Sequence, residues 1–372
     1  MKITVKIKLL PTYTQKTLIN QTLKEYIKAV NSVLADYKQA DACLYYSSTQ
    51  VLFNLPSALC AQVAQDSNSI FKKYIKDCKS AKKNQEKNPD IEVKEVKLPV
   101  LKKEKAIWNN QNYTVTETHL RFPVLIDGKC RRISVKALVP KETYELITKS
   151  KLGTLRLTYK NRKLVAQIAI EAEEVKSTGE NTMGVDLGQK IPAVALTSTG
   201  KVKFFRKGRQ NKYLRRKYKA KRKKLGKEKK LNAIKRINDK EQRVMKDIDH
   251  KTSREIVNFA EANGVKVIKL EKLANIRKRA KASQKNKGYN QYDWTYYRVM
   301  EYINYKAKLL GIEVETVNPA YTSQECPSCG KRNIAKDRSY VCSCGYRGHR
   351  DIVGASNILK KAPEVSGKRE RA

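Results

Sequence analysis

CPSCGKRNIAKDRSYVCSCGYRGHRD, residues 326–351, places four cysteines within nineteen residues and ends on an acid. The first two cysteines are separated by two residues and the last two by one, and a glycine follows each pair. Thiolates prefer soft or borderline metals, and structural Zn²⁺ takes four tetrahedral ligands. The pattern therefore predicts a zinc ribbon. Its expected ligands are Cys326, Cys329, Cys342 and Cys344, with His349 as an alternative fourth ligand because Cys-x-Cys is tighter than the usual spacing.

The acid that ends this segment, Asp351, is one of three carboxylates at the ends of predicted elements. It opens a predicted helix, where aspartate is also an ordinary cap. Asp186 lies inside the apolar strand TMGVDLG and Glu271 ends the apolar strand GVKVIKLE, and either could be an ordinary solvated residue. A buried, unpaired carboxylate is costly, and ligand sites in open α/β sheets gather at strand ends. The three acids together therefore predict one catalytic site.

Three carboxylates in a strongly basic chain indicate metal-dependent phosphodiester chemistry. Hard Mg²⁺ prefers oxygen ligands, and two such ions about 3.5–4 Å apart can activate a water and stabilise the leaving oxygen. We expect Asp186, Glu271 and Asp351 to hold Mg²⁺, or Mn²⁺ in vitro, and to act in catalysis. The three histidines are too few and too scattered to suggest a histidine-centred mechanism.

The chain of 372 residues carries 80 Lys or Arg against 36 Asp or Glu, a formal net charge of +44. Such a charge repels itself unless a polyanion neutralises it, and nucleic acid is the natural partner. A merely soluble basic surface and an anionic membrane are the alternatives. No apolar run approaches the roughly 20 residues of a membrane span, and the N-terminus lacks the apolar region of a signal peptide. We therefore expect an intracellular protein, with reduced thiols at Cys43, Cys60, Cys78 and Cys130.

The first half of the chain predicts a small β-barrel with a helical insertion. KITVKIKLL (2–10) alternates as a strand does, and Thr14 is a plausible cap for the helix that follows. A second helical stretch, about 47–78, is expected to be broken or bent near Pro56. After a polar linker at 79–95 come six short strand-like runs, of which VKLPVL is the first and which extend to residue 173. Such runs suggest a barrel that the N-terminal strand completes.

The second half predicts an α/β domain. Three strand-like runs begin near residue 181, and a long basic, helix-prone segment covers about 208–262. A strand, a helix, another strand, the cysteine segment and a last helix follow, an order that fits a mixed sheet. A Gly-, Asn- and Lys-rich stretch occupies 275–291, and the charged tail from Ala362 is expected to be disordered.

Candidate nucleic-acid contacts lie in both halves. The basic segment has aromatic and aliphatic residues interleaved, so we expect it to dock along a duplex backbone and to read little sequence. A solvated helix face is the alternative. Polar side chains of the N-terminal helices are weaker candidates for meeting base edges or phosphates. The candidates are Tyr46, Ser47, Gln50, Gln62, Gln65, Asn68, Lys72, Arg215, Arg216, Lys221 and Arg222.

The runs GVDLG, VIKLEKL, YTSQECPSCG and HRDIVGASNIL resemble the RuvC-like nuclease half of TnpB proteins. These are transposon-encoded, RNA-guided endonucleases related to compact type V CRISPR effectors. The resemblance implies a multidomain α+β protein, in which an N-terminal wedge β-barrel (OB-like) with a helical recognition insertion precedes an RNase H-like, RuvC-type α/β nuclease domain that carries the zinc ribbon. The implied domains are 1–10 and 97–173 (wedge), 11–96 (recognition), 181–320 and 346–361 (nuclease), 321–345 (ribbon) and 362–372 (tail).

The same resemblance implies a function. Asp186, Glu271 and Asp351 would form an acidic triad that cleaves target DNA next to a short motif by two-metal hydrolysis. The implied partners are a guide RNA from the transposon end and the DNA that pairs with it, with no membrane and with a monomer favoured. The implied location is the cytoplasm of a prokaryote, in association with the nucleoid. A nuclease-inactive RNA-guided DNA-binding regulator and a DNA-joining transposase stay open as alternatives.

Overall fold

The protein is described by a computed structural model and forms two compact units, the first of which ends at Glu173. No described helix is long and apolar enough to cross a membrane. The predicted Gly-, Asn- and Lys-rich stretch and nearly all of the predicted tail lie outside the described residues. The described residues are 1–87, 95–173, 175–237, 239–273, 296–335 and 337–363.

The first unit combines an antiparallel sheet with helices. Its described elements are β1 (Lys2–Leu10), α1 (Tyr13–Gln39), α2 (Ser57–Lys87), β2 (Lys105–Trp108), β3 (Thr114–Val115), β4 (His119–Ile126), β5 (Lys129–Leu138), α3 (Lys141–Thr148), β6 (Lys151–Lys160) and β7 (Lys163–Glu171). The strand order is β2-β6-β7-β1-β5-β4-β3. As predicted, the N-terminal strand joins the later strands, since β1 pairs with both β5 and β7.

A two-residue turn joins β4 to β5. Asp127 and Gly128 have φ angles of 51° and 71°, the positive values that a type I′ turn requires at both central residues. This turn fixes the register of the hairpin, in which Ile126 lies opposite Lys129.

The cap of α1 differs from the prediction. The N-cap is Thr12, whose hydroxyl accepts a hydrogen bond from Gln15 N (3.3 Å) while Gln15 Oε1 accepts one from Thr12 N (3.1 Å). This reciprocal pair is a capping box, so the predicted cap, Thr14, lies inside the first turn. The apolar residues of α1 face inward, and Ile19 and Leu23 are buried in the core of the first unit.

The second helix begins later and ends later than predicted. The chain from residue 47 to Pro56 is not helical, and α2 starts at the next residue, with Leu59 N and Cys60 N donating to the Pro56 carbonyl (2.7 and 3.1 Å). The helix then continues through residues that were predicted as the start of a linker, because Lys, Gln, Glu and Ala are good helix formers.

The predicted strand VKLPVL is absent from the described residues. The amide and carbonyl of Leu101 both bond to the side chain of Asn31 in α1 (2.9 and 3.0 Å). Pro99, two residues earlier, has no N–H to give to a neighbouring strand. This part of the chain is therefore fixed to a helix instead of a sheet, and β2 forms at Lys105–Trp108, which the sequence analysis missed.

The second unit contains the predicted mixed sheet. Its described elements are β8 (Asn181–Asp186), β9 (Ala193–Thr197), β10 (Val202–Phe205), α4 (Gly208–Lys227), α5 (Leu231–Ile237), α6 (Lys240–Ala262), β11 (Val265–Glu271), α7 (Tyr296–Lys308), β12 (Glu313–Val317), β13 (Ser339–Val341), β14 (Arg347–His349) and α8 (Arg350–Lys360). The sheet order is β10-β9-β8-β11-β12. Strands β8, β11 and β12 are parallel. Strand β9 pairs antiparallel with β8, and β10 pairs antiparallel with β9.

A glycine lets the last helix approach the central strand closely. A methyl group built on Gly184 of β8 would overlap the carbonyl oxygen of Ala355 and lie 2.7 Å from Leu359 N, both in α8. The two backbones are thus in contact at a point where no side chain fits. This packing places the start of α8 beside the end of β8.

We expect Gly184→Ala to destabilise the protein, since the added methyl meets backbone atoms that cannot rotate away. Overpacking of this kind costs about 1–3 kcal/mol, occasionally more. Urea denaturation measures the free energy of unfolding. The matched control is Gly226→Ala in α4, where a methyl meets one atom 4.0 Å away and a helix gains about 1 kcal/mol from the exchange. Equal stability of the two variants would contradict the prediction.

Candidate functional site

Two of the three predicted acids lie at the same edge of the sheet. β8 and β11 are parallel neighbours, and Val185 lies opposite Leu270. The next residue in each strand is the last one, Asp186 in β8 and Glu271 in β11. Strand register therefore places these two carboxyl-bearing residues side by side.

The third acid reaches the same place through α8. Asp351 is the second residue of this helix and is 9 % exposed. Gly354 follows one turn later on the same face, and a methyl group built there would lie 2.7 Å from Asp186 Oδ2. The helix thus passes directly over Asp186, and Asp186, Glu271 and Asp351 lie in one region at the edge of the sheet.

The electrostatics of Asp186 show that the acids interact. Burial, followed by the nearby Glu271 and Asp351 carboxylates, raises the pKa of Asp186 to about 8, against smaller opposing effects of Arg350 and Arg338. Carboxylates that disfavour each other's ionisation are stabilised by a bound cation. Oxygen donors in this arrangement suit a hard divalent metal.

Two polar side chains that were not among the predicted site residues bind these acids. The Thr322 hydroxyl, which is 3 % exposed, donates to Glu271 Oε1. Arg338 Nη1 donates to both carboxylate oxygens of Asp351. Burial raises the pKa of Glu271, whereas Thr322 and the Lys361 ammonium oppose that rise. Both Thr322 and Arg338 belong to the segment that contains the cysteines, so that segment contacts two of the acids.

Asp186 should make the stability of the protein depend on pH in EDTA. Its pKa rises from 3.8 to about 8 on folding, so the stabilisation from the protonated carboxyl is complete below the lower value and is lost as the pH rises through the higher one. We expect Asp186→Asn to gain stability over the parent progressively between about pH 5 and 8. Urea denaturation across this range measures the difference.

Asp247→Asn, at an acid that is 60 % exposed on α6, is the control for this pH dependence. It should follow the parent at every pH. A constant difference between Asp186→Asn and the parent would contradict the assignment of the raised pKa.

The four cysteines form a second group. The Sγ atoms of Cys326, Cys329, Cys342 and Cys344 all lie within 4.8 Å of one another. Among the described residues they are the one group of three or more His, Cys, Asp or Glu ligand atoms this close; the three acids are not so tightly grouped. The set could hold Zn²⁺, which prefers four thiolates in a tetrahedral site.

Glycines shape the two loops that present these thiols. Gly330 and Gly345, each one residue past a cysteine pair, have φ angles of 73° and 90°. Gly330 N donates to Cys326 O and Gly345 N to Cys342 O, both at 3.0 Å. A hydrogen bond from the backbone of Cys344, together with hydrogen bonds from the other three thiols, lowers the pKa of the Cys342 thiol to about 6, which favours the thiolate that a metal binds.

His349 does not join the thiols and caps α8 instead. Its Nδ1 accepts a hydrogen bond from Asp351 N (3.3 Å), and its ring meets the edge of Phe204 at 5.1 Å between centroids. The alternative of His349 as the fourth ligand is therefore not supported, because the second cysteine pair completes the group despite its short spacing.

Among the predicted nucleic-acid contacts in the first unit, several side chains have partners within the chain. The Tyr46 hydroxyl donates to Asp36 Oδ2 (2.6 Å), and Ser47 N donates to Gln50 Oε1 (2.8 Å). Of the others, Gln65 and Lys72 are exposed, whereas Gln62 and Asn68 are half-buried. Their role in binding remains a prediction.

The predicted contacts on α4 fall into two kinds. Arg215 and Arg222 both reach Glu241 of α6, at 3.9 and 2.6 Å. Arg216 and Lys221 are exposed. The first pair connects two helices, so Arg216 and Lys221 are the better candidates for phosphate contacts.

Two known protein families match the parts of the chain that contain the acids and the cysteines. Residues 166–277, with Asp186 and Glu271, match the OrfB family model, described as a probable transposase, and residues 296–358 match the Cas12f1-like TNB domain. A putative transposase of Methanocaldococcus jannaschii is 33 % identical over 75 residues, which are 69 % of that protein and 17 % of this chain. A TnpB-like protein of the same organism is 34 % identical over 132 residues, 35 % of this chain. The chain belongs to the TnpB family.

The matches between this TnpB-family chain and two of its relatives cover less than half of each relative. The match to the TnpB-like protein covers 47 % of that protein. The Cas12f1 endodeoxyribonuclease of Sulfoacidibacillus thermotolerans is 35 % identical over 126 residues, which are 33 % of this chain and 28 % of the relative. The chain thus spans about half or less of these two relatives.

Solved structures of other proteins match the fold of this TnpB-family chain over nearly its whole length. The Cas12f1–sgRNA–target DNA complex contains a chain that matches with a TM-score of 0.65 at 14 % identity, over 96 % of this chain and 98 % of that one. CasPhi-2 bound to crRNA and DNA gives a TM-score of 0.53 at 10 % identity, over 96 % and 91 %. The fold is therefore that of a Cas12-type effector.

Proposed function

We propose that this protein is an RNA-guided DNA endonuclease of a transposon, which cleaves target DNA beside a short motif. The observation that carries the proposal is the convergence of Asp186, Glu271 and Asp351 at one sheet edge in a TnpB-family chain. A net charge of +44 supports a nucleic-acid substrate.

The acids would hold Mg²⁺ and the surrounding side chains would orient them. Asp186, Glu271 and Asp351 offer hard oxygen donors whose mutual repulsion a divalent cation relieves. The chemistry that bound Mg²⁺ supplies is activation of the attacking water and stabilisation of the leaving oxygen. Thr322 and Arg338 fix the carboxylates of Glu271 and Asp351. The four thiols would hold a structural Zn²⁺.

The two units would have different roles. The mixed sheet and its helices support a RuvC-type, RNase H-like nuclease, and the antiparallel sheet with β1 at its centre supports a wedge β-barrel. The helices that follow β1 would form the recognition insertion. The proposed bounds are 1–10 and 97–173 for the wedge, 11–96 for recognition, 181–320 and 346–361 for the nuclease, and 321–345 for the zinc ribbon.

The proposed partners are a guide RNA and the DNA that pairs with it. In RNA-guided effectors base pairing reads the sequence, and the protein grips the heteroduplex by shape and backbone. A chain that is basic along most of its length suits this task. We place the monomeric protein in the cytoplasm of a prokaryote, near the nucleoid.

Sequencing the RNA that copurifies with the full chain tests the proposal first. A single abundant RNA is expected. The guide part of that RNA then defines a plasmid target that matches it and carries a randomised flanking sequence. The complex should cut this plasmid in Mg²⁺ and leave it intact in EDTA. Guided binding without cutting would favour the regulator, and joining of transposon ends by protein alone would favour the transposase. Random copurifying RNA would contradict guidance.

A further inference from the structure

Tyr321 adopts an unusual backbone conformation beside the acidic site. Its φ angle is 61°, a left-handed value that is rare for a bulky side chain. Its carbonyl accepts hydrogen bonds from Gln324 N (2.9 Å) and Glu325 N (3.0 Å), and Lys361 Nζ donates to the carbonyl of the preceding Ala320. Bonds on both sides therefore hold the position from which the ring projects.

The next residue connects this ring to the acids. Thr322 donates to Glu271 and to the Pro319 carbonyl (3.1 Å) and is 3 % exposed, whereas Tyr321 is 45 % exposed. The Thr322 side chain therefore points towards Glu271, whereas the Tyr321 side chain is partly exposed to solvent. Since adjacent Cα atoms are about 3.8 Å apart, the Tyr321 backbone lies next to a residue that contacts Glu271.

An arginine stacks on the ring. Arg332 Cζ lies 3.5 Å from the Tyr321 ring centroid, and the Arg332 side chain is 57 % exposed. Its backbone forms a β-bridge with Glu325, next to Cys326, whose N–H donates to the Lys331 carbonyl (3.0 Å). The first cysteine loop therefore holds the guanidinium against the aromatic ring, and we call this pair the stacking platform.

We infer that the stacking platform, Tyr321 backed by Arg332, binds a nucleobase of the single strand that enters the acidic site. Aromatic and guanidinium planes stack on bases of any sequence, and they recur in proteins that bind single strands without sequence preference. A base and its phosphate are joined through one sugar, so a base held here places a neighbouring phosphate near Glu271 and Asp186. The identity of the strand rests on the proposed function, whereas stacking itself needs no cleavage.

The alternative is that Arg332 merely covers an exposed aromatic ring and no base binds. A fluorescence titration separates the two. Full-length protein with its copurified RNA and the Asp186→Asn change, which prevents cutting, is titrated against single-stranded DNA that contains 2-aminopurine, whose fluorescence falls on stacking. We expect quenching in this background. Tyr321→Phe keeps the ring and should keep the quenching.

Tyr321→Asn removes the ring and suits the backbone, because asparagine tolerates positive φ, so the fold is preserved. We expect loss of quenching and a Kd for the oligonucleotide weaker by about 5- to 150-fold, the range that one stacked base contributes. Tyr297→Leu, at a tyrosine that is 64 % exposed on α7, is the matched control and should behave as the background does.

The proposal is overturned if the background protein gives no quenching, if Tyr321→Asn quenches as the background does, or if Tyr321→Phe loses the signal. With Asp186 intact, Tyr321→Asn should raise KM more than it lowers kcat. Failure of guided cleavage with quenching that still depends on Tyr321 would remove the proposed function and leave the stacking platform standing.

Discussion

We expect Asp186→Asn to abolish the proposed Mg²⁺-dependent cleavage of guide-matched DNA and to leave RNA binding intact. Asp186 ends the central strand, its carboxylate is adjacent to Gly354 of α8, and its pKa responds to both other acids. An amide has the same shape but no charge, so the site loses one of three anionic oxygen donors. Removing residues that only orient a metal ligand already costs about 10- to 100-fold, so a larger loss is expected here. A plasmid-cleavage time course measures it.

Asp247→Asn is the matched control for this experiment. Asp247 lies on α6 in the same unit, 60 % exposed and 2.8 Å from Lys251, and the same exchange there should leave cleavage unchanged. Cleavage at the parental rate by Asp186→Asn would remove the proposed catalytic role of the acids.

We expect Cys342→Ser to release the proposed zinc ion and to suppress cleavage. Cys342 is 5 % exposed and lies 3.6 Å from Cys329 between their sulfur atoms. Structural zinc contributes about 10–16 kcal/mol of apparent binding free energy in zinc-finger peptides at pH 7, so losing one ligand should loosen the ribbon. Arg338, which binds Asp351, belongs to this segment. Mass spectrometry of bound metal and amide hydrogen exchange in 321–349 measure both effects.

Cys130→Ser is the control for the zinc experiment. Cys130 is exposed on β5 of the first unit, and its replacement should change neither bound zinc nor cleavage. Full zinc content in Cys342→Ser would contradict the ligand assignment. Zinc loss with unchanged cleavage would separate the ribbon from the acidic site.

The sequence predicted much of the second unit because its strands are apolar runs with clear ends. Asp186 and Glu271 were predicted as site residues because each carboxylate interrupts or ends such a run, which is costly without a partner. Parallel pairing of β8 and β11 is then enough to place the two acids side by side. The four thiols were found from spacing alone, because few other roles require such a pattern.

The errors arose where distant contacts replaced local preference. VKLPVL looked like a strand, yet Asn31, 70 residues away, takes the backbone groups of Leu101. Thr322 and Arg338 gave no local signal, since threonine and arginine are common on surfaces. Their contacts with Glu271 and Asp351 depend on how the chain returns to the sheet. Gly184 and Gly354 were likewise recognised only from the approach of α8 to β8.

The ribbon segment leaves the sheet after Val317 and returns at Arg350, the first residue of α8. Its ends are thus attached to β12, which is part of the sheet, and to α8, which packs on β8. The entropy of closing a loop grows only with the logarithm of its length, so residues can be added or lost inside this segment at small cost. The reach of Thr322 and Arg338 to their carboxylates, the group of four thiols and the stacking platform limit such changes. Length variation among relatives should therefore concentrate in the stretches between these contacts.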